Sequence, residues 1–430
     1  MVLTWRPAAL MLLGILPCAL VGAWLAFYLW IIFVVVVCAV DVYLTASPRQ
    51  VSIERTVPFQ ARLSESATIE LVVKNTSSRR ARGLLRDAWQ PSAGALGNVI
   101  AFDLATEAAR RFTYRISPTR RGDRRVEHVT VRLWGPLKCA GRQLTFFAPA
   151  SVKVLPEFKS RKHLPSRLAR LRELEGESAV QIRGAGTEFD SLREYVEGDD
   201  VRSIDWRATA RSRKVTVRTY RPERDRRVVI VVDTSRTSAP RIGDETRLDT
   251  YIESALLLAA LASRAGDRVE LIAFDRTTRA RVSSRSSSQL MKELAQSLSG
   301  VESSLIEADW TALNTLITTQ ISQRSLVVVL SNSDITNAGS GVLSSIGALA
   351  KRHLVVLAGV SNPDVAELTE HRADSSQVFE AAAAERTLLE EHAGSDILAS
   401  IGVVVLKALP EQLAPSLSDT YLDLKAAGRL

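Results

Sequence analysis

Cysteine is scarce: the 430-residue chain holds three. Cys18 and Cys38 lie in an apolar N-terminal stretch, so Cys139 stands alone in everything that follows. An internal disulfide in that larger part is thereby excluded, which suits a reducing compartment such as the cytoplasm. Charge is missing altogether between Arg6 and Asp41, a run of 34 residues. As one helix it would be about 51 Å long, whereas a hydrocarbon core of about 30 Å is crossed by about 20 residues. A cleaved signal peptide has an apolar core of only about 7–15 residues. Two short helices, broken near Pro17 to Ala23, fit better. Residues 1–46 are therefore expected to form a transmembrane hairpin, with residues 7–44 in the bilayer. Trp5, Trp24, Tyr28, Trp30 and Tyr43 suit its interfaces, and the flanking Arg49, Arg55 and Arg62 put the bulk of the chain on the cytoplasmic side. That makes a multi-pass protein of the inner, cytoplasmic membrane. A single tilted span with the bulk outside is the alternative.

What remains is ordinary in composition, 46% hydrophobic and 24% charged, which excludes long disorder. The net charge of +9 is unevenly placed. Residues 49–155 hold 19 Lys and Arg against 8 Asp and Glu, while residues 228–430 hold 18 against 25. A basic excess beside a membrane segment points to anionic lipid. Nucleic acid is not expected, because the basic surface lacks the interleaved aromatics of single-strand binders.

Residues 47–155 read as a basic antiparallel β-sandwich. Ala67 to Val73, Arg111 to Ile116, Val126 to Leu133 and Gln143 to Phe147 carry β-forming residues. Turn-like stretches separate them. Residues 156–227 read as a charged linker, helical at first. Its densest part, 188–207, interleaves acids with arginines. Such carboxylates could run metal or acid–base chemistry. Alternatively they pair with the arginines and pin the segment to the next domain, and this is favoured because no His or Cys lies nearby.

From residue 228 to 430 strands and helices alternate, implying a parallel sheet covered on both faces. Val228 to Val232 is an unbroken apolar run, as expected of a strand buried on both sides. It ends in Asp233-Thr234-Ser235-Arg236-Thr237. Asp233, Ser235 and Thr237 offer one carboxylate and two hydroxyls at alternate positions, a set suited to a hard cation such as Mg²⁺. A turn whose hydroxyls cap the next helix would read the same way.

The block from Phe189 through Asp190, Arg193, Tyr195, Gly198, Asp199, Asp200, Arg202, Asp205 and Trp206 to Arg211 resembles the bacterial family called domain of unknown function 58. So do Val228 to Thr237, Tyr114 to Gly122 and the tail Tyr421 to Lys425. The resemblance implies a membrane protein with a von Willebrand factor A-like, Rossmann-like α/β domain, a MIDAS-type cation site and no established enzymatic activity. It also implies a MoxR-type AAA+ ATPase as partner. Two expected cation ligands depart from the pattern. Ala308 stands where a threonine is expected, and Asn332 where an aspartate is expected, with Asp334 two residues on. The reading is then a multidomain, membrane-anchored adaptor rather than an enzyme, holding Mg²⁺ weakly if at all. Its rivals are a metal-dependent enzyme using the 188–205 acids and an outward-facing metal-dependent adhesion protein.

Overall fold

The computed structural model describes residues 1–21, 24–181, 188–196, 199–221, 226–243, 245–284, 287–332, 341–370 and 372–430. The chain divides into two compact units, Met1–Glu157 and Phe158–Leu430.

The first unit starts with strand β1 (Val2–Leu3) and helices α1 (Arg6–Val21) and α2 (Trp24–Leu44). The stretch Trp24–Gln50 is long and apolar enough to cross a membrane. α1, with 16 residues, extends about 24 Å. The two helices pack on each other: Trp30 Nε1 donates to the Leu10 carbonyl at 3.1 Å. Gly14 makes room for that indole, since a Cβ there would lie 1.9 Å from Nε1.

Nine strands follow: β2 (Val51–Thr56), β3 (Gln60–Arg62), β4 (Ala67–Asn75), β5 (Ala81–Trp89), β6 (Ala95–Leu96), β7 (Val99–Leu104), β8 (Ala109–Ile116), β9 (Gly122–Trp134) and β10 (Ala140–Leu155). One sheet runs β1-β10-β9-β5-β7, with β3 alongside β10, and the other runs β2-β4-β8-β6. All pairs are antiparallel except β3 with β10. Period-two patterning fills one core between them: Ile69, Leu71 and Val73 from β4 meet Leu85, Val129, Val131 and Leu133. Within it Arg55 and Asp87 form a buried pair, Nη2 to Oδ1 at 2.6 Å. Tyr114 donates to Asp87 Oδ2 at 2.5 Å and accepts from Trp89 Nε1 at 2.5 Å. Burial first, then the bond to Asp87, pushes the Tyr114 phenol far above its usual range.

The membrane-type helix ends on this sandwich. Asp41, in the last turn of α2, is fully buried. Its carboxylate accepts the N–H groups of Leu137 (2.8 Å), Cys139 (2.8 Å) and Ala140 (2.9 Å) from the β9–β10 turn. Thr4 and Arg6 donate to the Lys138 and Leu137 carbonyls of the same turn, and β1 pairs with its outgoing strand. Gly135 is required by this approach, because a Cβ would lie 2.1 Å from Asp41 Oδ1.

The second unit opens with α3 (Leu164–Gln181), β11 (Glu188–Glu194), α4 (Trp206–Ser212) and β12 (Thr216–Arg221). The expected linker thus contains a hairpin: β11 and β12 pair antiparallel, with Arg193 opposite Val217. There follow β13 (Arg227–Asp233), the small pair β14 (Arg241–Ile242) and β15 (Glu245–Thr246), α5 (Arg247–Arg264), β16 (Arg268–Phe274) and β17 (Thr278–Ser284). Then come α6 (Ser287–Ser299), α7 (Trp310–Gln320), β18 (Leu326–Leu330), α8 (Val342–Ala350), β19 (Leu354–Val360), α9 (Pro363–Leu368), α10 (Ser375–Ser400), β20 (Val404–Ala408) and α11 (Pro410–Ala426).

The large sheet runs β17-β16-β13-β18-β19-β20, parallel except for β17 at one edge. Alternation along β13 explains its double burial. Val228, Ile230 and Val232 pack with α5, α6 and α11. Val229 and Val231 pack on the other side with α7 and α8. Thr246 and Asp249 form a capping box that starts α5. The Tyr421 and Lys425 side chains, one turn apart on α11, both bind the buried Asp267, at 2.5 and 3.3 Å. That contact is the structural content of the Tyr421–Lys425 tail.

Candidate interaction site at the carboxyl edge of the parallel sheet

Strand order reverses at β13, whose neighbours β16 and β18 lie on opposite sides. Crevices beyond the carboxyl ends of strands at such a reversal are where open α/β sheets bind ligands. Asp233 is the last residue of β13 and is 2% exposed. Its Oδ1 accepts the Ser235 N–H at 2.8 Å. Its Oδ2 accepts the Thr237 hydroxyl at 2.7 Å and the Ser331 hydroxyl at 2.5 Å. Ser235 Oγ and Thr237 Oγ1 lie 3.1 Å apart. One carboxylate and three hydroxyls thus converge. Thr234 Oγ1 beside them is buried with no hydrogen-bond partner among the described residues.

Ser331 was not among the residues expected here. It follows directly on the apolar run of β18, and the signal that could have found it is its place just past a buried parallel strand. The same holds for Asp275, just past β16. Asp275 accepts the N–H groups of Arg276 and Thr277, the Arg279 guanidinium and the Ser304 hydroxyl. Burial pushes its carboxyl up, but these donors, Thr277 and Arg279 foremost, outweigh it and hold the pKa at about 2. Ser304 also donates to the Thr234 carbonyl, through its N–H at 2.7 Å and its hydroxyl at 3.1 Å, which ties this loop to the Asp233 loop.

The oxygen set matches a hard cation in type. Its charge is that of one carboxylate. Asn332 is engaged elsewhere: its amide bonds both backbone groups of Val360, at 2.6 and 2.7 Å, and accepts the Tyr251 hydroxyl. Ala308 packs against the apolar core. Asp334 lies outside the described residues. Among the described residues, no group of three or more His, Cys, Asp or Glu is placed to hold a metal ion.

The hairpin block is ordered by its own charges. Arg193 meets Asp199 at 2.5 Å and Arg218 meets Asp205 at 2.8 Å. Lys214 meets Glu194 at 2.5 Å. Asp200 accepts the Arg202 N–H, and Asp205 caps α4 through the N–H groups of Arg207 and Ala208. The Ala208 N–H first, then Arg218, holds the Asp205 carboxyl below its usual range. The Tyr195 N–H donates to the Val215 carbonyl. Trp206 and Arg211 stand exposed on α4. Gly198 and the Asp190 side chain lie outside the described residues. Among the described residues of this block, Glu194, Asp199, Asp200 and Asp205 therefore face arginines, lysine or backbone N–H groups.

Residues 191–387 match the family model described as protein of unknown function DUF58. The match runs from the hairpin block through the Asp233 edge into α10. No curated protein matches the sequence. Among solved structures, the chain is similar to a conserved hypothetical protein, BatB, from Bacteroides thetaiotaomicron, at 15% identity over 47% of this chain and 99% of that one, TM-score 0.30. It is also similar to proximal thread matrix protein 1 of the mussel byssus, at 10% identity over 47% of each chain, TM-score 0.30. A PapD-like domain of human CEP192 matches at 15% identity over 26% of this chain and 89% of that one, TM-score 0.21. These likenesses are loose.

Proposed function

We propose that this protein is a membrane-anchored interaction module that binds a protein partner through the Asp233 edge of a von Willebrand factor A-like domain. The observation that carries the reading is the convergence of Asp233, Ser235, Thr237 and Ser331 at the point where the sheet order reverses. The strand order, 3-2-1-4-5-6 in chain order with one antiparallel edge strand, supports the domain type. In the same reading α1 and α2 both enter the bilayer as a hairpin, the arginine-rich sandwich faces anionic lipid, and the bulk of the chain is cytoplasmic. A AAA+ ATPase of the MoxR type is the proposed partner, on the strength of the family resemblance alone. A divalent cation, where bound, would be held by Asp233, Ser235 and Thr237 and completed by water or a partner's carboxylate. The partners of the described acids Glu194, Asp199, Asp200 and Asp205 favour this reading over an enzyme.

The test is affinity purification from gently solubilised membranes with wild type, Asp233→Ala and Asp233→Asn. Co-purification of an ATPase with wild type and its depletion with both variants, at equal expression and equal thermal stability, is the expected result. Equal recovery from all three would move the interface away from Asp233.

A further inference from the structure

The outer ends of α1 and α2 meet one turn of the sandwich. Thr4 and Arg6 at the start of α1, and Asp41 in the last turn of α2, all bond the β9–β10 turn. The tip of that turn, Pro136-Leu137-Lys138, is therefore level with the first turn of α1 and the last turn of α2. On the reading of α1 and α2 as a bilayer hairpin, on which this inference rests, that level is the headgroup region. Trp5 and Tyr43 stand there 75% and 70% exposed, as aromatic side chains do at membrane interfaces.

The tip has the composition of a lipid contact. The Leu137 side chain is exposed although its backbone is fixed on both sides: its N–H bonds Asp41 Oδ1 and its carbonyl accepts Arg6 Nη1, each at 2.8 Å. Lys138 is exposed and has a φ of 55°, a left-handed backbone that strains an L side chain and suits glycine. What the position holds instead is a charge. Arg6 is exposed beside it, and among the described residues neither cation is paired with a carboxylate. The carboxylate behind the turn, Asp41, is buried and already accepts three N–H groups. At the same end of α2, Arg79 donates to the Tyr43 carbonyl and lies over its ring, 5.4 Å from the centroid.

We propose that Arg6 and Lys138 seat the phosphate of an anionic phospholipid, with Leu137 and Trp5 against its glycerol and upper acyl chains. Level decides for this occupant over an acidic protein: a seat beside the helix ends is reached from within the leaflet, where phosphates are the abundant anions. The apolar Leu137 next to the charge fits the boundary between headgroup and acyl chain, and it would have no use against a free anion. Each Lys or Arg near such a surface contributes about a fivefold gain in affinity.

Native mass spectrometry of the full chain in detergent, titrated with phosphatidylglycerol or with phosphatidylcholine, tests it. Wild type binds one phosphatidylglycerol more tightly than any phosphatidylcholine. Lys138→Gly raises that dissociation constant about fivefold and Arg6→Gln/Lys138→Gly about thirtyfold, while Lys138→Arg keeps it. Lys138→Gly is the decisive variant, because glycine relieves the backbone: its melting temperature stays level with wild type or rises, so that lost lipid is not lost fold. Equal affinity of wild type for the two lipids overturns the proposal, as does unchanged phosphatidylglycerol affinity in Lys138→Gly. Displacement of the lipid by excess inorganic phosphate would assign the two cations to a free anion and overturn it as well. Alkaline carbonate washing of membranes separates the seat from the bilayer reading beneath it. With wild type retained in the pellet, a failed titration counts against the seat alone; wild type released from the pellet overturns both.

Discussion

Replacing Asp41 with alanine should loosen the sandwich from the helix that precedes it. The carboxylate is buried and accepts three backbone N–H groups at 2.8–2.9 Å. Hydrogen bonds to a charged acceptor contribute about 1.5–3 kcal/mol each, and a buried donor left unpaired costs about 1–3 kcal/mol. Loss of all three is not additive, since the turn relaxes, and removal of one partner from a buried charged contact typically costs about 3–5 kcal/mol. Asparagine should cost about half as much. Its oxygen can serve the Cys139 and Ala140 N–H groups that share Oδ2, but its NH₂ then faces the Leu137 N–H. The assay is amide hydrogen exchange by mass spectrometry on the full chain in detergent. At about 1.4 kcal/mol per decade, local opening of residues 135–140 should speed exchange about 10²-fold or more in Asp41→Ala, and less in Asp41→Asn. Unchanged protection of that peptide in Asp41→Ala would refute the assignment of Asp41 as the clamp.

In the sandwich, Asp87→Ala strands Arg55 and the Tyr114 hydroxyl in the core and should cost about 3–5 kcal/mol. Tyr114→Phe, which removes one bond to a charged acceptor, should cost about 1.5–3 kcal/mol. Thermal unfolding that ranks the two in the opposite order would count against the network. His353 is 4% exposed and neither ring nitrogen has a hydrogen-bond partner among the described residues. Burial first, then Arg352, lowers its pKa below 6.5. The unfolded chain therefore takes up the proton first, and stability should fall as pH drops below about 6.5. His353→Leu should flatten that slope and raise stability near neutral pH by about 1–3 kcal/mol; an identical pH dependence in both proteins would remove His353 as the cause.

Buried parallel strands were legible because their sequences are apolar on both faces: the Val228 run and Leu326 to Leu330 mark β13 and β18. β17 was not legible. Thr278 to Ser284 buries only Val282, and an edge strand with one half-covered face resembles a loop. The β11–β12 hairpin was hidden because Glu188–Glu194 and Thr216–Arg221 carry charges among their few apolar residues and show no apolar run. Asp41 could be read only as the charge that closes an apolar run, since its partners lie 96–99 residues away. At the candidate site the local trio Asp233, Ser235 and Thr237 was legible from spacing. Ser331, 98 residues from Asp233, depends on which strand lies beside β13, and spacing does not encode that.

That distant serine separates a cation site from a closed hydrogen-bond knot. Oδ2 of Asp233 accepts two hydroxyl donors, Thr237 and Ser331, so a cation approaching that oxygen competes with both. In the absence of divalent cation, Ser331→Ala should cost about 1.5–3 kcal/mol, the range for a bond to a charged acceptor. If Mg²⁺ binds at Asp233, the variant presents a freer oxygen and binds it more tightly. Binding stabilises the folded state by RT ln(1 + [L]/Kd), so the gap between wild type and Ser331→Ala should narrow as Mg²⁺ is raised. Asp233→Asn should abolish the response in both backgrounds. Melting curves of the four proteins with Mg²⁺ and with chelator decide the matter. A gap that is the same in both conditions means that the hydroxyls only hold Asp233 in place, and a partner would then meet the edge without a metal between them.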